Sequence, residues 1–195
     1  MTGFRIKMFA AAALAAACLS IAPAQADDRY EPFNFNSLFS GFASGFGGSP
    51  LMRRQVPIDA KYAPGNIVIS TSQRRLYFVT ARGQAIEYGI GVGRDGFQWS
   101  GVKTVSAKRE WPSWTPPAQM LKRRPDLPRY MPGGIDNPLG ARAMYLGSSL
   151  YRIHGSNEPE TIGQAVSSGC FRMTNEDVTD LYNRVRVGAT VYVMR

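Results

Sequence analysis

Apolar and polar positions follow a strand-like pattern through most of the chain after about residue 66. Residues 67–71 and 76–79 are short β-branched and aromatic runs, separated by Ser72, Gln73 and Arg74, and Arg82-Gly83 marks the next turn. Residues 85–92 continue the meander, and 102–108, 143–146 and 151–153 predict further strands. One stretch has helical spacing instead. Thr174 is followed three residues on by Asp177, which resembles a capping box with Asp in place of Glu. Val178, Leu181, Tyr182 and Val185 then form one apolar stripe. Gly188 ends that helix, and residues 189–194 return to a strand. The expected domain is mainly β (α+β), with one helix late in the chain and no internal repeat.

Residues 110–137 interrupt the pattern. Their proline density excludes regular sheet, although 118–124 could hold a short helix. A long irregular insertion on a β scaffold suits a lid over a substrate, with Trp111, Trp114 and Tyr130 as its aromatic members; a docked structural loop fits the same composition equally well.

The N-terminal part reads differently. Residues 1–26 begin with Arg5 and Lys7, continue as an apolar run over 8–22, and end with Ala24 and Ala26 in small-residue positions. That is the layout of a secretory signal peptide. The apolar run of about 15 residues is short of the roughly 20 needed to span a membrane. Cys18 invites a lipoprotein reading, which the spacing of the preceding leucine argues against. Residues 27–60 read as a Phe/Gly/Ser-rich linker with Phe33, Phe35, Phe39, Phe42 and Phe46 along it, a flexible tether or an arm that packs elsewhere. The compact domain is expected over residues 61–195.

Charge and cysteine usage narrow the class. The chain carries a formal charge of +9, which falls to +7 without residues 1–26 because Arg5 and Lys7 leave and no acid goes with them. A basic exported protein suits an anionic partner in the cell envelope. No nucleic-acid-binding motif is present, and no transmembrane segment remains after signal cleavage. Cleavage would also leave Cys170 as the only thiol, so no intramolecular disulfide could form.

His154 in "YRIHGS" is the only histidine, and Cys170 lies in "QAVSSGCFRM". An imidazole within reach of a thiol can take its proton and return it to a leaving amine. Spacing alone does not bring the two together: each could be a buried structural residue, and Arg172 could simply pair with Glu176 or Asp177. One Cys and one His supply too few ligands for a metal site, and no cofactor is indicated.

Taken together, "IHGS", "SSGCFRM" and the upstream "NPLG" of residues 137–140 resemble the signature of the L,D-transpeptidase family with its YkuD-type catalytic domain. The resemblance covers about residues 61–195. It implies a β-sandwich-like fold with one C-terminal helix near the active site, and an exported, periplasmic or envelope-located enzyme acting on peptidoglycan stem peptides. It implies Cys170 as nucleophile and His154 as general base and then acid. Gly155 would orient the imidazole, and Gly169 and Cys170 would supply oxyanion N–H groups. Ser168 stands where many relatives carry a second histidine and offers only a hydroxyl. Ser167, Arg172 and Asn137 would lie at the substrate. The acceptor of the acyl group could be a stem peptide, an envelope protein or water, and a non-catalytic wall-binding protein is the reading from a different class.

Overall fold

The computed structural model describes residues 51–195. The expected signal segment 1–26, Cys18 and the phenylalanines of the arm lie outside the described residues. The elements run β1 (Arg54–Pro57), β2 (Ile67–Ser70), β3 (Arg75–Ala81), β4 (Gln84–Gly89), β5 (Val92–Gly93), β6 (Gly101–Glu110), helix α1 (Ala118–Arg123), β7 (Arg142–Leu146), β8 (Arg152–His154), a 3-10 turn (Pro159–Thr161), β9 (Ala165–Ser167), β10 (Phe171–Arg172), helix α2 (Asn175–Arg184) and β11 (Thr190–Met194). The mainly β expectation holds, and every strand expected from the apolar runs is present.

Among the described residues the strands hydrogen-bond in the order β1-β4-β3-β2-β11-β6-β7-β8-β10, with β5 and β9 as a separate pair. The long strand β6 joins two halves. Its first residues pair with β11 and its last with β7, and the register shifts between Val105 and Ala107. A bulge at such a point bends a strand and lets one sheet turn into the next. The two halves fold around one apolar core. Ile67, Ile69, Leu76, Phe78 and Tyr88 enter it from one half, and Met144, Leu146, Ile153 and Phe171 from the other. Strand β2 is buried along its whole length, because Val68 faces a second small cluster with Tyr62 and Val79 on the opposite side.

Helix α2 closes the core with Val178, Leu181 and Val185. Its start follows the sequence reading: the Thr174 hydroxyl accepts a hydrogen bond from the Asp177 N–H at 3.2 Å. Glu176 and Asp177 sit in the first turn and Arg184 in the last, the arrangement that the helix dipole favours. The helix begins two residues after β10, so its cap fixes where that strand ends.

Strand β1 falls inside the stretch that composition reads as a linker. It is held by more than backbone pairing with β4. Glu87, buried in β4, accepts from Arg75 Nε at 2.8 Å and from Arg54 of β1 at 3.3 Å. Just before β1, Arg53 lies within 3.7 Å of Glu176, 3.6 Å of Asp177 and 3.5 Å of Asp180. Two consecutive arginines therefore tie the segment to β4 and α2, a long-range charge arrangement that local composition does not display. Among the described residues no helix is long and apolar enough to cross a membrane.

Two glycines of the sequence motifs have a steric cause. Gly140 adopts φ +62°, and a Cβ there would stand 2.5 Å from the Ser156 N and collide with Asn175 Oδ1. Gly155 packs against the same Asn175 oxygen, which accepts the Ala141 N–H at 2.8 Å. The start of α2 is thereby pressed onto the backbone beside His154. Gly140→Ala is expected to destabilise the domain by roughly 1–3 kcal/mol, read as a lowered Tm in thermal denaturation. An unchanged Tm would mean that this close approach is not maintained in solution.

Candidate active site

Strand β8 reads Arg-Ile-His, and alternation along a strand sends Ile153 one way and Arg152 and His154 the other. Ile153 is fully buried in the core. Strand β10 lies parallel to β8, with Phe171 beside Ile153 and Arg172 beside His154. Phe171 enters the core with Ile153. Cys170, one residue before β10, comes beside Arg152 by the same register. Arg152, His154, Cys170 and Arg172 therefore share one face, and all four line a single cavity of about 430 Å³. The chain separation between His154 and Cys170 is closed by the connection between two parallel strands.

His154 is buried, and its Nδ1 lies 2.6 Å from the Gly155 carbonyl. A carbonyl can only accept, so Nδ1 carries the proton and Nε2 of the neutral ring keeps its lone pair. Burial depresses the imidazole pKa to about 3, helped by the positive charges of Arg172 and Arg152 and opposed by the Gly155 carbonyl. Cys170 is partly buried, and its thiol points at the Leu150 carbonyl 3.7 Å away. Burial raises the thiol pKa, while Arg152 and then Arg172 pull it back. Both shifts favour the neutral forms of the thiol and the imidazole, which line the same cavity.

The turn ahead of the cysteine is held at several points. The Ser167 hydroxyl donates to the Cys170 carbonyl at 2.6 Å and accepts the Gly169 N–H at 3.1 Å. Gly169 has φ +105°, and a Cβ there would approach a Tyr151 ring carbon to 2.6 Å. The Gly169 carbonyl accepts the Trp99 indole N–H at 2.8 Å. That indole stacks on Tyr151 at 4.6 Å and tilts against Phe171 at 5.5 Å. The turn ahead of Cys170 is thus clamped by a side chain of its own and by an aromatic stack.

Several expected roles change in this geometry. Asn137, expected at the substrate, does not line this cavity: it is buried, its amide donates to the Pro132 carbonyl at 2.8 Å, and its Oδ1 accepts the Leu139 N–H at 2.9 Å. It pins the end of the 110–137 segment. Ser167 lines the cavity, but both sides of its hydroxyl are engaged in the turn. The Gly169 N–H, expected to face an oxyanion, is taken by Ser167, whereas the Cys170 N–H has no acceptor among the described residues. Arg172 pairs neither with Glu176 nor with Asp177. It meets Glu158 at 2.8 Å and keeps its place in the cavity wall. Ser168 also lines the cavity.

The 110–137 segment forms one side of the cavity through Trp114, Pro117, Met120 and Arg123, the last two from α1. An isolated bridge between Trp114 and Met131 closes the segment on itself. Trp111 and Tyr130 are exposed and do not line the cavity. Arg123, Arg152 and Arg172 are the charged members of the lining, and no Asp or Glu is among them. Among the described residues no group of three His, Cys, Asp or Glu side chains could hold a metal. Sequence reasoning missed Trp99 and Arg152. Nothing local marks Trp99, but Arg152 stands two residues before His154 in a predicted strand, and alternation already places it on the histidine's face.

Comparisons with known proteins agree with this geometry. Residues 64–193 match a model of the YkuD family, described as the L,D-transpeptidase catalytic domain. The Escherichia coli (strain K12) protein named "Probable L,D-transpeptidase ErfK/SrfK" is 39% identical over 137 residues, which make up 66% of this chain and 43% of that protein. The chain spans about half the length of the curated relatives it matches. A solved structure described as "Probable carnitine operon oxidoreductase caia from Brucella melitensis" is 46% identical, with a TM-score of 0.51 over 74% of this chain and 94% of that one. That title names a different activity and speaks only of that protein. An L,D-transpeptidase from Mycobacterium smegmatis, 18% identical, shares the fold with a TM-score of 0.55 over 68% of this chain and 59% of its own. The family model covers most of the described domain, including both Cys170 and His154, and the chain belongs to the YkuD family of L,D-transpeptidase catalytic domains.

Proposed function

We propose that the chain is an exported cysteine acyltransferase that works on peptidoglycan stem peptides. The observation that carries this reading is the shared cavity face of Cys170 and His154, with the imidazole Nε2 lone pair free and no acidic side chain in the lining. Stem peptides carry several carboxylates, and the walls formed by Arg123, Arg152 and Arg172 suit them. The name of the Escherichia coli relative points to the same activity.

In the first step the Cys170 thiol gives its proton to His154 Nε2 as its sulfur attacks the carbonyl of the third stem residue. The electron pair of the C=O bond moves onto oxygen, and the Cys170 N–H is the backbone donor available to it. Collapse of that intermediate breaks the C–N bond. The imidazolium gives its proton to the departing amine of D-alanine, and a thioester remains. In the second step an acceptor amine attacks the thioester, loses a proton to His154, and displaces the Cys170 sulfur. A stem-peptide amine yields a 3→3 cross-link, an amine of an envelope protein attaches that protein to the wall, and water yields net carboxypeptidase hydrolysis.

Ser167, Gly169 and Trp99 act on the position of the sulfur rather than on the substrate.

The test is incubation of the chain with a tetrapeptide-bearing muropeptide, with and without a competing amine, followed by mass analysis. Loss of D-alanine with amine-dependent product is expected, and Cys170→Ala should abolish both. Product without added amine dependence would make the chain a hydrolase, and activity retained in Cys170→Ala would remove the proposed nucleophile. A second expectation concerns the aromatic clamp. Trp99→Phe keeps a ring on Tyr151 but removes the 2.8 Å hydrogen bond to the Gly169 carbonyl. Losing one hydrogen bond of about 1 kcal/mol should slow acylation severalfold, with kcat falling and KM nearly unchanged. An equal rise in KM would place Trp99 in substrate binding instead.

A further inference from the structure

Arg152 is so far only part of the cavity wall, yet it is placed beside Cys170. By the β8–β10 register it stands beside Cys170, as Ile153 stands beside Phe171. Its Nη1 donates to the Leu150 carbonyl at 3.1 Å, and the Cys170 thiol points at that same oxygen from 3.7 Å. Guanidinium and thiol therefore converge on one acceptor. The positive charge of Arg152 also favours the anionic form of Cys170 against the burial that opposes it. The guanidinium is held from its other side by the Tyr145 ring, 5.1 Å from the centroid. Its Nε–H is buried and has no acceptor among the described residues. A buried donor left without a partner is costly unless a partner forms at some stage.

We infer that Arg152 activates Cys170 by supplying hydrogen-bond donors to the sulfur as its proton leaves for His154. A thiol is a weak acceptor and a thiolate is a strong one. As the S–H bond breaks, the proton passes to Nε2 and the electron pair stays on sulfur, so the unmatched donor gains its acceptor at the moment negative charge appears. Arg152 stays protonated throughout. The need is specific to this site, because the Leu150 carbonyl alone would repel the thiolate that replaces its thiol donor. The planar guanidinium can bond that carbonyl and the sulfur together, which a lysine ammonium on a flexible stem does less well.

The other charged and titratable groups facing Cys170 do not duplicate this role. His154 on the same strand receives the proton. Arg172 from β10 is drawn toward Glu158 at 2.8 Å, and Arg123 approaches from α1 across the cavity.

The inference rests on Cys170 being the nucleophile, and its test does not depend on peptidoglycan. The rate of Cys170 alkylation by iodoacetamide is measured from about pH 6 to about pH 10 in the wild-type chain, Arg152→Lys and Arg152→Met, with folding checked by circular dichroism. One unit in pKa is a tenfold change in thiolate. Arg152→Met should move the alkylation midpoint upward by about one unit and slow the reaction about tenfold near neutrality, with Arg152→Lys recovering part of the shift. If Arg152→Met does not fold, Arg152→Gln carries the same comparison. A midpoint that stays at the wild-type value in the neutral variant overturns the inference. That result in a chain still making cross-links removes Arg152 alone. A shifted midpoint in a chain inactive on muropeptides keeps Arg152 and removes the acyl-transfer reading.

Discussion

The parallel pairing of β8 with β10 is the constraint on which the site depends. Two very short strands, Arg152–His154 and Phe171–Arg172, are set side by side. Alternation buries Ile153 and Phe171 in the core and turns Arg152, His154, Cys170 and Arg172 onto the cavity face. Strands this short hold their register through what surrounds them. The Met173 N–H donates to the His154 carbonyl at 2.8 Å, and Arg172 exchanges backbone hydrogen bonds with Gly91 at 2.9 Å in both directions. Helix α2, capped at Thr174, presses Asn175 against Gly140 and Gly155. A slip by one residue would turn Cys170 into the core and Phe171 into the cavity.

Electrostatics at the site follow from the same arrangement. His154 is buried close to positive charge, which keeps its ring neutral, and the Gly155 carbonyl selects the tautomer with Nε2 unprotonated. Cys170 is kept as a thiol by burial, although the arginines favour its anion. Both effects suit the proposed reaction, in which His154 takes the thiol proton only as attack begins.

Much of the fold is legible in the sequence, for identifiable reasons. The apolar β-branched runs at Ile67, Leu76 and Met144 become core strands because their alternation or full burial matches a sheet with a core on one side or both. The Thr174 cap and the Val178–Leu181 stripe define α2 locally. Strand β1 is not legible, since Arg54 is tied down by Glu87 from far along the chain. Strands β9 and β10 are too short to show a period. At the site, Cys170, His154 and the need for glycine at 155 and 169 could be read from motif and chemistry. The function of Asn137 could not, because a motif asparagine looks the same in sequence whether it meets a ligand or pins a turn through the Leu139 N–H. Arg152 is legible as well, since alternation along β8 puts it on the same face as His154.

Burial and the Gly155 carbonyl together call for a neutral resting imidazole protonated on Nδ1. The most direct measurement is 15N NMR of the single His154 in the labelled chain, titrated downward through the ordinary imidazole range near 6.5. A group with its pKa depressed to about 3 stays neutral as pH falls through that range. The account predicts the Nδ1–H tautomer unchanged down to about pH 5. A ring that becomes doubly protonated near pH 6.5, or one with its proton on Nε2, would contradict it.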